Sequence, residues 1–346
     1  MDSLIVNNKG TKLTYIDSGA PDSATYITLV TLHGMGVNAG IYNRVSTLAA
    51  TVDLRIVAVN RRAYGGSTPF APEETALYLS EKAEDKLQFL SDRGAEFATF
   101  VDLFIQKFNT PPISADGKTG GVALLPWSAG NGPILCALGN IKQLAPDVQT
   151  RLSAHIRALI LHEPPCVVIG IPPPQSAPAS LFPAEIDYRI TPDFQIPPAL
   201  AWICSFFKHG DLTERDDKAL SWMPIEGPPS LSSMSKEELL TIVEGEEPTA
   251  DMRGMLATMS QAQVLCRKAC FDQSVRAALP KMKVTMICGD VTLPFSLTAF
   301  WDFQDVDKAN GGGFIDFEMM HGMNHFMHWE KPEFALDVFR KAALKA

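Results

Sequence analysis

Among the 346 residues of this chain, Val122-Ala123-Leu124-Leu125-Pro126-Trp127-Ser128-Ala129-Gly130-Asn131-Gly132 restricts the fold most. An apolar run with the length of a buried strand ends directly in a serine. Two small residues follow, and then a segment from about Pro133 to Gly139 that reads as a helix. A serine at the apex of a strand-turn-helix sits on a sharp turn, where its hydroxyl stands clear of the backbone and only small neighbours fit. Ala129 and Gly130 meet that demand, whereas Pro126 occupies the position of the first glycine of G-x-S-x-G. The stretch taken alone leaves two roles open for Ser128, a nucleophile or the N-cap of an ordinary helix.

The flanking sequence alternates strand and helix patterns. Leu4 to Asn7 and Lys12 to Asp17 read as a hairpin around Asn8-Lys9-Gly10. Tyr26 to Leu32 and Leu54 to Val59 are short aliphatic runs bracketing a helix expected from Gly40 to Ala50. Ser80 to Phe108 carries Leu87, Leu90, Phe97, Phe100, Val101, Phe104 and Ile105 at helical spacing. Ile156 to Leu161, Val284 to Asp290 and Phe314 to Met319 complete the strands, and Pro332 to Leu344 closes the chain as an amphipathic helix. Such alternation predicts a mostly parallel sheet covered on both faces. Between Cys166 and Val275 the texture changes: prolines cluster, strand patterns vanish, and apolar helical pieces alternate with acidic turns. Residues 1–165 and 276–346 are therefore expected to form the core domain, and 166–275 an inserted, largely helical cap.

Composition narrows the partners. A formal net charge of -9 without a long basic run offers nothing to a phosphate backbone or an anionic bilayer, so neither nucleic acid nor membrane is expected. Met1 to Asn8 lacks the basic and apolar regions of a secretion signal, and no segment is long enough to span a bilayer, which predicts a soluble, cytoplasmic protein. The six cysteines are scattered, most of them in apolar runs where a cysteine serves as a small buried hydrophobe; only Cys266 and Cys270, one helical turn apart, form a pair worth checking.

Four landmarks in fixed order resemble the α/β-hydrolase superfamily over nearly the whole chain apart from the cap. They are His33-Gly34 after the third strand, Arg62-x-x-Gly65-x-Ser67 after the fourth, the serine turn after the fifth, and His325 in Asn-His-Phe-x-His-Trp-Glu-x-Pro. The resemblance implies an α/β-hydrolase fold with the cap inserted after the sixth strand. It also implies Ser128 as nucleophile, His325 as its base, and the backbone amides of Met35 and Ala129 as an oxyanion hole. Chemistry explains the residue types: a serine hydroxyl attacks only when an imidazole takes its proton, and the charge that then develops on the carbonyl oxygen needs fixed donors.

For the third triad member, many relatives carry an acid three residues after the glycine that ends the seventh strand, which here is Thr292. The His162-Glu163-Pro164-Pro165 context resembles relatives such as zearalenone lactonase, which place a glutamate after the sixth strand. Glu163 is therefore preferred over Asp290, with a solvated loop carboxylate and a helix N-cap as their respective bland readings. His321, His325 and His328 could in principle ligate a metal, but the resemblance is to a histidine loop, with His328 structural; no metal and no cofactor are expected. Serine at the turn argues against the relatives that attack through aspartate.

Gly34, Trp127 and the apolar cap side chains (Phe182, Tyr188, Phe194, Leu200, Trp202, Phe206, Phe207, Trp222, Met223, Met252 and Met255) suggest a pocket for a small hydrophobic carbonyl substrate, with a homodimer left open. The expected reaction is cleavage of an ester or lactone. A cyclase, lyase or thioesterase step and a non-catalytic receptor on the same fold remain the alternatives.

Overall fold

Aliphatic runs too short for helices and apolar at every position become the centre of a sheet, because only burial on both faces suits them. The computed structural model describes residues 1–178, 189–191, 194–195, 197–244 and 247–345. The chain begins with β1 (Asp2–Ile5), β2 (Lys12–Asp17) and β3 (Ile27–Leu32), followed by the short helix α1 (Asn43–Ser46) and β4 (Leu54–Val59). Helices α2 (Pro72–Leu79) and α3 (Ala83–Phe108) lead to β5 (Val122–Pro126), α4 (Asn131–Gly139), α5 (Pro146–His155) and β6 (Ile156–His162).

The inserted region contains β7 (Arg189–Thr191), β8 (Phe194–Gln195), α6 (Pro198–Ile203), α7 (Lys236–Ile242) and α8 (Glu247–Ala257). Then come α9 (Met259–Phe271), α10 (Gln273–Ala278), β9 (Lys283–Gly289), α11 (Pro294–Ala309), β10 (Asp316–Met320), α12 (Met327–Glu330) and α13 (Pro332–Leu344).

Eight strands form one sheet in the order β1-β2-β4-β3-β5-β6-β9-β10. β1 and β2 make the expected hairpin, β2 joins β4 antiparallel, and every pairing from β4 to β10 is parallel. Alternate residues of the central strands enter different cores. Val30, Leu32, Val57 and Leu124 meet Phe97 and Phe100 of α3, Ile134 of α4 and Cys266 of α9. Leu29, Ile56, Ala123 and Ile160 meet Val45 of α1 and Leu336 and Phe339 of α13. Both faces are thus covered by helices, the mostly parallel architecture that the alternating pattern predicts.

Several local expectations change. The helix expected over Gly40 to Ala50 is a series of short turns. Asn38 accepts from the Gly40 amide at 2.9 Å, and the hydroxyls of Thr47 and Thr51 donate to nearby carbonyls at 2.8 and 2.6 Å, drawing the backbone away from a continuous helix. Ser80 caps the end of α2 and does not start α3; Leu87, on the first turns of α3, is exposed. The region expected to lack strands contains the small antiparallel pair β7-β8. At its C-terminal end, α9 lies directly against the core: a Cβ added at Gly139 of α4 would sit 2.7 Å from the Leu265 carbonyl, so the two helices pack almost backbone to backbone. Phe182 and Tyr188 lie outside the described residues, as does the side chain of Phe194. Among the described residues, no helix is long and apolar enough to cross a membrane.

Candidate active site

Parallel strands leave their C-terminal ends on one edge of the sheet, and the candidate residues gather there. Ser128 follows β5 with φ of +54°, left-handed backbone that a non-glycine residue adopts at a cost on the order of 1 kcal/mol or more. The turn fits because its neighbours lack side chains. A Cβ at Gly130 would lie 2.2 Å from the Leu32 carbonyl oxygen, and one at Gly34 would lie 2.9 Å from Ser128 Cβ and 3.0 Å from the Trp127 ring. Asn131 braces the turn, its Nδ2 donating to the Ser128 carbonyl at 2.9 Å and to the His162 carbonyl at 3.3 Å.

Glu163 directly follows β6 next to this turn, since Trp127 bridges His162 across the two strands. It too has positive φ, +48°, and its side chain is almost fully buried. One carboxylate oxygen accepts from the Gly289 amide at 2.6 Å. The other accepts from the Thr292 hydroxyl and lies 2.5 Å from His325 Nδ1. Burial alone would raise this carboxyl, but the His325 and Thr292 bonds and the adjoining imidazoles outweigh it and hold its pKa below the ordinary value. An ionised acceptor on Nδ1 fixes the tautomer that leaves the other ring nitrogen with a free lone pair. His325 Nε2 is buried and has no hydrogen-bond partner among the described residues.

Asp290 stands elsewhere. Its carboxylate accepts from the Gly322 amide at 2.7 Å and lies 2.6 Å from Nδ1 of the exposed His321. Thr292, at the position where many relatives carry their acid, donates its hydroxyl to Glu163 and holds that carboxylate in place. No pattern in the chain announces that role, because a threonine hydroxyl gains meaning only once the β6-β9 register brings the two residues together.

The amides of Met35 and Ala129 have no hydrogen-bond acceptor among the described residues, so both are free to meet a developing negative charge. Met35, Ser128 and Ala129 share the wall of a cavity of about 240 Å³, roofed by Trp202, Ile203, Met252 and Met255. Gly34 and Trp127 were expected on that wall, but the structure places them behind it. Gly34 is wedged between the serine and the indole, and Trp127 is 1% exposed, donating from Nε1 to the His325 carbonyl at 2.9 Å. The indole thus props the histidine loop. Of the remaining cap side chains, Phe207 and Trp222 pack against Trp202, and Met223 is exposed.

His321, His325 and His328 face different neighbours, and among the described residues no cluster of three or more potential ligands could hold a metal. His328 is stacked on Tyr42 and edge-on to Trp127 and His162. Cys266 and Cys270 are buried free thiols on α9.

Burial makes His162, His328 and His33 poor bases. Desolvation lowers the His162 pKa to about 4, with Glu163 pulling it up and His325 pushing it further down. Desolvation also takes His328 and His33 well below the ordinary value. A folded-state pKa below the unfolded one means that stability is complete above about pH 6.5 and is lost as the pH falls from there towards 4, because only the unfolded chain takes up the proton. His162 alone should remove on the order of 3 kcal/mol across that window. Urea unfolding at pH 7.5 and at pH 5 tests this: the midpoint should fall, and fall less in His162→Leu, whereas a flat profile contradicts buried neutral imidazoles.

No protein-family model and no curated sequence matches the chain. Among solved structures it is similar to the peroxisomal alpha-beta-hydrolase Lpx1 of Saccharomyces cerevisiae, with a TM-score of 0.51 and 14% identity over 97% of this chain and 83% of that one. An esterase from Exiguobacterium antarcticum aligns with a TM-score of 0.49 and 15% identity over the whole of both chains. Epoxide hydrolase A of Mycobacterium thermoresistibile aligns with 0.47 and 13% identity over 98% and 97%. At such identities the likeness is one of fold.

Proposed function

Because the chain has the α/β-hydrolase fold, we propose that it is a serine hydrolase cleaving an ester or lactone bond of a medium-sized hydrophobic substrate through Ser128, His325 and Glu163. The observation that carries this reading is the state of the His325 ring: Nδ1 is held by a buried carboxylate, and Nε2 is buried and unpartnered at the strand ends where Ser128 opens onto an apolar cavity.

In this mechanism Ser128 Oγ gives its proton to Nε2 and attacks the substrate carbonyl carbon. The oxyanion takes hydrogen bonds from the Met35 and Ala129 amides, and the imidazolium is stabilised by Glu163. Collapse of the tetrahedral intermediate breaks the bond to the leaving oxygen, which receives the proton from Nε2 and leaves an acyl-serine; water then gives a proton to Nε2 as it attacks the acyl carbon, and the second collapse breaks the bond to Oγ, which takes that proton back as the acid departs. The serine hydroxyl and Nε2 are not hydrogen-bonded to each other, and the bond between them forms in the first step.

Turnover of a panel of hydrophobic lactones, linear esters and thioesters tests the reading. Esters or lactones should be hydrolysed; turnover of thioesters alone would overturn the assigned bond, and tight binding of all with hydrolysis of none would indicate a receptor.

A further inference from the structure

Beside the serine turn lies a second cavity, of about 120 Å³, lined by Leu32, Phe89, Phe97, Gly132, Cys136 and Ala262 among others, from β3, α3, α4 and α9. It meets the Ser128 cavity at Ala129, Val167, Val168 and Met255, which are on the walls of both. Ala129 supplies an oxyanion donor in the proposed mechanism, so the two cavities adjoin beside the place where a substrate carbonyl would sit.

Their surroundings differ in a way that assigns the two arms of an ester. The Ser128 cavity is bordered by Leu293 and Phe295, neighbours in sequence of Thr292, which bonds the triad carboxylate. That segment, with Pro165 two residues after Glu163, leads to the carboxylate that holds His325, and a leaving oxygen must collect its proton from that imidazole. The second cavity takes no residue from that segment. Its charged members are already paired. Arg62 and Arg93 are each bonded to both Glu74 and Glu96, and Arg61 is bonded to Asp251, so no cation is left over to neutralise a carboxylate. What remains is an apolar compartment slightly smaller than the roughly 150 Å³ cavity known to hold benzene, which corresponds to about four to five carbons.

Resting on the serine-hydrolase reading above, we propose that the second cavity is an acyl pocket: the substrate is an acyclic ester of a short, uncharged acyl group, with its larger alcohol portion in the Ser128 cavity. A lactone ring ties the two arms together and fits this division poorly.

Two ester series test it on the full chain: p-nitrophenyl esters of lengthening fatty acids, and acetates of lengthening alcohols. kcat/KM should rise to an acyl chain of about four to five carbons and fall at least about tenfold by octanoate, while the alcohol series continues to improve with size. Gly132→Val and Ala262→Leu narrow the pocket from different helices; a Cβ at Gly132 meets only Val168, at an ordinary 3.7 Å. Each variant should lower the ratio of butyrate to acetate hydrolysis about tenfold. The ratio is taken within one protein, so a lower folded fraction cancels. A preference for octanoate or longer, an unchanged ratio in both variants, a shift in the alcohol series instead, or faster turnover of a lactone than of every acyclic ester would overturn the acyl pocket alone. A chain that hydrolyses no ester in either series would remove the serine-hydrolase reading and this inference with it.

Discussion

Glu163→Gln should lower kcat about 10⁴-fold with little change in KM, the loss expected when the residue orienting a catalytic imidazole can no longer hold it in the working tautomer or stabilise its charge. The buried carboxylate accepts from Gly289, Thr292 and His325 at once, so an amide of the same shape leaves one of these donors facing an N–H. Asp290→Asn should change kcat/KM by no more than about twofold, because that carboxylate serves the exposed His321 and the Gly322 amide. Thermal unfolding of both variants alongside the kinetics separates lost chemistry from lost folding. The reverse ranking, with activity collapsing in Asp290→Asn and persisting in Glu163→Gln, would move the acid to the other strand end.

Ser128→Ala should be the most damaging single change, lowering kcat on the order of 10⁶-fold. Only the attacking atom is removed, and the apolar walls that hold the substrate remain, so the dissociation constant of an unreactive ether analogue should stay close to that of the parent chain. Unchanged turnover in this variant would exclude the serine as nucleophile whatever its backbone geometry.

Much of this site is legible from local pattern. A strand must end and a helix must begin around Ser128, and the small residues at 129 and 130 are what a tight turn with close backbone contacts requires; the 2.2 Å approach of a Gly130 Cβ to the Leu32 carbonyl gives the physical reason. Glu163 was reachable only through a resemblance, because a single carboxylate after a strand has no chemistry until a partner is known. Thr292 was out of reach: its hydroxyl meets a residue 129 positions away, and only the β6-β9 register creates the contact.

Trp127 shows a different limit. Adjacency to Ser128 suggests a pocket wall, but β-backbone turns successive side chains to opposite sides, and the indole lies inward against the histidine loop. The change of texture after Cys166 likewise gives no sign that α9 packs onto the core, where the glycine at 139 lets it settle onto α4.

At the centre of the account is an activated hydroxyl at residue 128. Incubation of the intact chain with a fluorophosphonate, followed by whole-protein mass measurement and mapping of the modified peptide, tests it most directly. A single adduct on Ser128, absent from Ser128→Ala and formed far more slowly in Glu163→Gln, is the predicted result. An unchanged mass under excess reagent, or modification of another residue with Ser128 intact, would contradict it.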